Sequence, residues 1–394
     1  MSSGTRKAAV VLPGIMGSRL FAADDIYEGS KLKHRRNQLL WINTPDIREF
    51  LKPTWSLSKR KDKIAKGLDL ILSGSNRINA LKCHPDGTSV HAIKAAGLDD
   101  TPPCDGHENF CLKSNTRHFG AAGMYTELVT SLKSLLGEEN AAFLSYDWRK
   151  PIASAAAQIT PVLDEFAKSY DEVFIIAHSM GGLVACRYLS QTIFSQKFKL
   201  ITLGTPFLGA PKALRILLTG DALPAHYCDN AILKTAHNIS AVHELMPTRQ
   251  YMEEHPFVTL IKKGKVSGAP LNPDETVDFL RGAGMNMHLF EQAQNFHQRN
   301  NFARFFNDSP NTLAIVGNGK STEISMIASQ NQRLVYYTKT SKNGDGTVPA
   351  ISAAMNGQLR PDKIIYVKES HSGLPSNKKI LSLIHKKIEG WFAP

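Results

Sequence analysis

The stretch "VFIIAHSMGGLVACRYL", Val173 to Leu189, passes from apolar β-formers through a histidine, a serine and two glycines into residues with helical spacing. Three structures fit it: a buried strand with a plain turn, one long hydrophobic helix, or a reactive serine at the tip of a strand–turn–helix. The flanking segments separate them. "KAAVVLPG" reads as a buried strand, "MYTELVTSLKSLLG" as a helix with a glycine stop, "NAAFLSYDW" as a strand and "PIASAAAQITPVLDEFAKSY" as a helix. "DEVFIIAH" is again a strand, "GGLVACRYLSQTIF" a helix and "FKLITLG" a strand. Strands alternating with helices in this way predict an α/β fold, a mostly parallel sheet with helices on both faces.

The alternation breaks after "GTPFLGAP". From Phe207 to about Ser309 the sequence reads as irregular and partly helical, without a strand, and so as a cap insertion over one edge of the sheet. "NTLAIVGNG", "RLVYYTK" and "KIIYVKE" then read as further strands of the same sheet, closed by the helix "NKKILSLIHKKIEGWF". The expected core is therefore 1–30 with 120–206 and 310–394. A basic, loop-rich excursion occupies 31–119 and the cap 207–309.

Composition limits the function classes. With 42% hydrophobic and 21% charged residues the chain has the balance of a folded protein rather than a disordered one. No window approaches the roughly 18 consecutive apolar residues of a membrane span. "MSSGTRKAAVVLPGIMG" lacks a leader's apolar run, which points to a cytoplasmic protein, a processed one, or one exported without a leader. The five cysteines, Cys83, Cys104, Cys111, Cys186 and Cys228, form neither a disulfide framework nor a zinc pattern, although Cys104 and Cys111 could close a small loop. Net charge is +12, and the segment Lys31 to Lys66 holds eleven Lys/Arg against three Asp/Glu. Eight of the twelve excess charges thus sit among Leu39, Leu40, Trp41, Phe50, Leu51 and Trp55. That mixture suits a solvated face or a lid meeting an anionic membrane surface. No nucleic-acid-binding module accompanies it.

On the predicted sheet, Ser179 falls just past the end of a strand, where open α/β sheets bind ligands. Ala177 to Gly181, Ala-His-Ser-Met-Gly, is the small-x-Ser-x-Gly turn of a nucleophile elbow, with alanine in place of the commoner first glycine. A serine needs a base, and the base an orienting carboxylate, in the chain order Ser, Asp/Glu, His. Asp345 in "NGDGTVP" and His371 in "KESHSGL" each follow a predicted strand and satisfy that order. An oxyanion hole needs two backbone donors. Met180, next to the serine, supplies one; the turn "LPGIMGSRL" supplies the other from Ile15, with Met16 the alternative.

These pieces, "VVLPGIMGSRL", "LLWINTPD", "SYDWRKP", "AHSMGGLVACRYL", "GTPFLGAP", "NGDGTVP" and "SHSGL", resemble the lecithin:cholesterol acyltransferase family, which includes lysosomal phospholipase A2 and phospholipid:diacylglycerol acyltransferase. The resemblance runs from Val10 to Leu374 in the family's order. It implies a capped α/β-hydrolase that cleaves a glycerolipid ester and passes the acyl group to water or an alcohol. It also implies Ser179 as nucleophile with Asp345 and His371 as partners, and a mobile lid around Trp41, to which Trp55 is added as a substrate-binding candidate. The family's cap cysteine pair has no convincing counterpart here, and its members are mostly secreted, lumenal or anchored.

Other signals read as secondary. "AIVGNGKS", Ala314 to Ser321, matches a permissive phosphate-loop pattern without a long helix after it. His178 reads as packing, and Asp147 with Arg149 as a structural ion pair behind the site. No dense ligand cluster calls for a metal, and no cofactor is implied. The alternatives to a lipid-ester hydrolase or acyltransferase are a carboxylesterase or thioesterase for soluble esters, and a binding protein that kept the fold without the chemistry.

Overall fold

The computed structural model describes residues 5–41, 75–96, 122–223, 227–228, 230–255, 257–262, 265–266, 269–329 and 336–391. Its main sheet has six strands, all parallel, numbered here β1 (Lys7–Leu12), β2 (Ala141–Phe143), β3 (Glu172–His178), β4 (Phe198–Leu203), β5 (Thr312–Gly317) and β6 (Ile364–Val367), in the spatial order β6-β5-β4-β3-β1-β2. The inner strands are nearly continuous apolar runs because both sheet faces are covered. Successive side chains point to opposite faces. Val10, Leu12, Ile175, Ala177 and Leu200 join a core with α2 (Ile152–Ser169) and α3 (Met180–Leu189). Ala9, Val11, Phe174, Ile176 and Ile201 pack on the other side against α1 (Thr126–Leu136) and α4 (Lys378–Glu389). This is an α/β-hydrolase fold.

Register aligns the carboxyl ends. Leu12 lies opposite Ala177, His178 opposite Leu203, Leu203 opposite Ile315, and Gly317 opposite Val367. Loops leaving these five strand ends must therefore meet along one edge.

Three expectations about elements need correction. The strand expected over "NAAFLSYDW" ends at Phe143, since Tyr146 and Trp148 turn away to bond the loop after β1. The region after Phe207 is not strand-free: it contains strands Asp221–Leu223, Tyr227–Cys228, Val258–Lys262 and Lys265–Val266. Nor does the described part of "RLVYYTK", from Tyr336, join the main sheet. Tyr336–Ser341 pairs antiparallel with Thr322–Ser329, which pairs parallel with Val258–Lys262, so a separate four-stranded sheet draws on both sides of the expected boundary near residue 309. Val258 pairs with Met326, 68 residues further along the chain, beyond the reach of local periodicity. No helix among the described residues is long and apolar enough to cross a membrane.

Candidate active site

Ser179 occupies the sharp turn between β3 and α3 with φ 55° and ψ −128°, a conformation costly for any residue with a Cβ. The turn is held by the Ser179 amide, which donates to the Leu203 carbonyl at 2.9 Å. Gly181 is required by proximity. A Cβ there would lie 2.6 Å from the Pro13 carbonyl oxygen, so strand and helix could not approach. Ala177 is fully buried, and its methyl group fits where a glycine is commoner.

Asp345 and His371 meet at this edge. His371 Nδ1 lies 2.7 Å from Asp345 Oδ2, and the His371 amide donates to the Asp345 carbonyl at 2.8 Å. The other carboxylate oxygen accepts from the amides of Thr347 (2.9 Å) and Val348 (2.7 Å), so the 2% exposed Asp345 is anchored on both oxygens. With Nδ1–H given to the carboxylate, the Nε2 lone pair of His371 is the one left to take a proton. Asp345 does not follow a main-sheet strand. The chain leaves β5 at Gly317, forms two strands of the separate four-stranded sheet, and returns so that Asp345 bridges to Lys320 beside that strand end. The "AIVGNGKS" turn therefore leads into strand Thr322–Ser329, and no helix N-terminus is there to hold a phosphate.

Ser179 reaches the pair through its neighbour. The His178 ring lies 4.5 Å from that of His371, and His178 Nε2 is 3.0 Å from the His371 carbonyl oxygen. Ser179 Oγ has no hydrogen-bond partner among the described residues. It faces Gly14, where an added Cβ would sit 3.2 Å from it. His178 is buried, and that burial, with the adjacent His371 second, holds its pKa well below the usual histidine value.

The loop after β1 turns tightly over the elbow. The Gly17 amide donates to the Gly14 carbonyl at 3.0 Å, and Met16 adopts φ 63°. The Ile15 and Met180 amides have no acceptor among the described residues. Trp41 belongs to strand Leu39–Trp41, donates from Nε1 to the Met16 carbonyl at 2.8 Å, and packs edge-on against Trp148 at 5.2 Å. Trp148 Nε1 donates to the Ser18 carbonyl, and the Tyr146 hydroxyl to that of Pro13. Asp147 and Arg149 pair through two bonds, Nε to Oδ1 at 2.9 Å and Nη2 to Oδ2 at 2.6 Å, with both side chains almost wholly buried. Trp55, residues 42–66 of the basic run, and Cys104 and Cys111 lie outside the described residues; Cys83 and Cys186 are buried free thiols.

Tyr125 and Tyr146 are the neighbours that sequence reading missed. Tyr125 was one apolar-looking position at the start of a helix, and only its hydroxyl's surroundings distinguish it. Two clefts elsewhere, of about 420 Å³ near Arg249 and His297 and about 480 Å³ near Lys150 and Ser154, contain none of Ser179, Asp345 and His371. Among the described residues no three His, Cys, Asp or Glu side chains cluster as metal ligands.

The chain is 25% identical over 236 residues to the lysosomal phospholipase A and acyltransferase of Bos taurus, and 23% identical over 238 residues to that of Homo sapiens. Each alignment covers 56% of this chain and 52% of the relative, so the match spans about half the length of those proteins. Among solved structures, the crystal structure of the Tle4–Tli4 complex superposes over 98% of both chains with a TM-score of 0.54 at 14% identity, a likeness of fold alone. The family model described as lecithin:cholesterol acyltransferase matches residues 113–383, well over half of the sequence and including Ser179, Asp345 and His371. The chain belongs to the lecithin:cholesterol acyltransferase family.

Proposed function

We propose that this protein is a serine-dependent lipid-ester hydrolase or O-acyltransferase acting through an acyl-serine intermediate. The observation that carries the reading is the 2.7 Å Asp345–His371 pair beside a serine held at positive φ, at the end of a central strand. Ser179 Oγ attacks the ester carbonyl while His371 Nε2 takes its proton, and Asp345 holds the imidazole in the required tautomer. The negative charge that develops on the carbonyl oxygen is met by the amides of Met180 and Ile15 and by the N-terminal end of α3. His371 then returns the proton to the leaving alcohol. Water or a second alcohol attacks the acyl-serine by the same route in reverse. Serine–histidine contacts in free enzymes are often longer than a hydrogen bond and close on substrate binding, consistent with the unpartnered Ser179 Oγ.

A lipid substrate is supported by the family and by the name of the two relatives, a phospholipase A and acyltransferase. The basic run Lys31 to Lys66, which ends beyond Trp41, is proposed to meet an anionic lipid surface. A fluorophosphonate probe should label the wild type and not Ser179→Ala, whose turnover should fall by roughly 10⁴ to 10⁶, with His371→Ala close behind. Full activity in either variant removes the triad. Incubation with defined phospholipid vesicles, with and without a lipid alcohol, should release fatty acid in the first case and form a new ester in the second. Activity confined to monomeric soluble esters would move the assignment to a carboxylesterase.

A further inference from the structure

We infer that Tyr125 and His178 are positioning residues, joining the loop that bears Ile15 to the backbone of His371 by one directional chain of hydrogen bonds. The inference rests on the triad reading above and concerns how its parts are kept in register. The Gly14 amide lies 2.8 Å from the Tyr125 hydroxyl, which lies 2.8 Å from His178 Nδ1; His178 Nε2 is 3.0 Å from the His371 carbonyl oxygen.

The two ends fix every direction between them. A backbone amide can only donate, so the Tyr125 oxygen accepts from Gly14; a neutral His178 that donates from Nε2 to the His371 carbonyl leaves Nδ1 to accept the Tyr125 O–H. That nitrogen is therefore the acceptor, the ring proton sits on Nε2, and it is donated to a carbonyl that can only accept. The chain requires a neutral imidazole, and burial of His178 keeps it neutral. Burial likewise keeps the Tyr125 hydroxyl protonated.

Both ends carry machinery. The Gly14 amide belongs to the same peptide unit as the Pro13 carbonyl, which accepts from the Tyr146 hydroxyl, so two buried tyrosines hold one peptide plane directly before Ile15. At the other end, the backbone of His371 is held through its amide by Asp345 and through its carbonyl by His178. The proton acceptor and the oxyanion donor must keep their separation to within about 0.5 Å for efficient catalysis. A histidine adjacent to the nucleophile is well placed to span both, which packing alone would not require.

Four variants test this: Tyr125→Phe, which cuts the chain at the hydroxyl; His178→Phe, which cuts it at the ring; the double variant; and His178→Asn, whose Oδ1 can still accept from Tyr125. Tyr188→Phe, which removes a buried tyrosine bond to Asp164 elsewhere in the core, is the control. Turnover of a short soluble ester is measured per fluorophosphonate-titrated site, so unfolded protein does not count. Inhibition by a trifluoromethyl ketone, whose tetrahedral adduct places an oxyanion in the hole, is measured alongside. Each single cut should lower kcat about 10- to 100-fold with KM within about twofold, and weaken the ketone by a matching factor. The double variant should be no worse than the poorer single, because one chain is cut once. His178→Asn should recover part of the loss and Tyr188→Phe should match wild type. Wild-type kcat in both single cuts, additive losses in the double, or an equal loss in Tyr188→Phe would overturn the inference. Undiminished turnover in Ser179→Ala would instead sink the triad reading, and the relay with it.

Discussion

Asp147→Ala tests what the buried ion pair contributes. In the folded protein the Arg149 guanidinium donates from Nε and Nη2 to Asp147 and from Nη1 to the Leu81 carbonyl at 3.2 Å. Asp147 also accepts from the Arg149 amide at 3.2 Å. Alanine removes the carboxylate from three donors and leaves a cation, 1% exposed, with a single carbonyl partner. Breaking such a pair from one side costs about 3 to 5 kcal/mol, because the charge left behind has lost water and partner alike. That is a large share of the roughly 5 to 15 kcal/mol that separates folded from unfolded proteins. Removing both charges, with Asp147→Leu and Arg149→Met together, should cost far less, since no unpaired ion remains. Urea unfolding followed by tryptophan fluorescence is a suitable assay, as Trp148 lies between the paired residues in sequence and packs edge-on against Trp41. The midpoint should fall sharply in Asp147→Ala and recover in the double variant. A wild-type midpoint in the single variant, or a double variant less stable than the single, would refute the reasoning. Activity should fall with the single variant too, because Tyr146 and Trp148 alternate with the paired residues and hold the loop bearing Ile15.

Gly204 adopts φ 58°, and a Cβ there would lie 2.8 Å from Asp345 Oδ2 and 3.2 Å from His371 Nδ1. Gly204→Ala should therefore wedge the pair apart and lower kcat about 100-fold on a soluble ester, and an unchanged kcat would contradict the geometry. Burial raises the pKa of Glu244 to about 8, so between pH 7 and 8 the folded state holds a proton that the unfolded state has released, and stability falls by about 1 kcal/mol as pH rises. Burial depresses His243 and His297 to about 4, so their contribution is lost only as pH falls below 6.5 and they add little slope in that range. Glu244→Gln, which keeps an acceptor for the Ile152 amide, should flatten the fall, and parallel urea midpoints for both proteins would exclude Glu244 as its source. Neutralising Lys59, Arg60, Lys61 and Lys63 should weaken sedimentation with anionic vesicles, most at low salt, by up to about 1 kcal/mol per cation near the surface. Equal binding by the wild type and the neutralised variant would reduce the run to a solvated face.

The order of elements was legible because each is encoded locally. Runs such as "KAAVVL", "EVFIIAH" and "TLAIVG" are apolar in their interiors without alternation, which only a strand covered on both faces requires. The elbow is equally local, since the residues two before and two after Ser179 must be small wherever strand and helix backbones touch. Ser179, Asp345 and His371 could be proposed together from the sequence because each lies in a short motif in the expected chain order. Periodicity could not reveal which segments pair at a distance. Neither Val258–Lys262 nor Thr322–Ser329 reads as a strand from the sequence, and their parallel pairing is decided by how the chain between them packs. The same holds for the Trp41–Trp148 contact and the Asp345 return path. Tyr125 is the clearest case. It lies 111 residues from Gly14 and 53 from His178, and nothing in its own helix distinguishes it from a core aromatic. A buried hydroxyl must find partners, but sequence does not say which. Only tertiary packing brings a donor from one segment and an acceptor from another within 3 Å of the same oxygen.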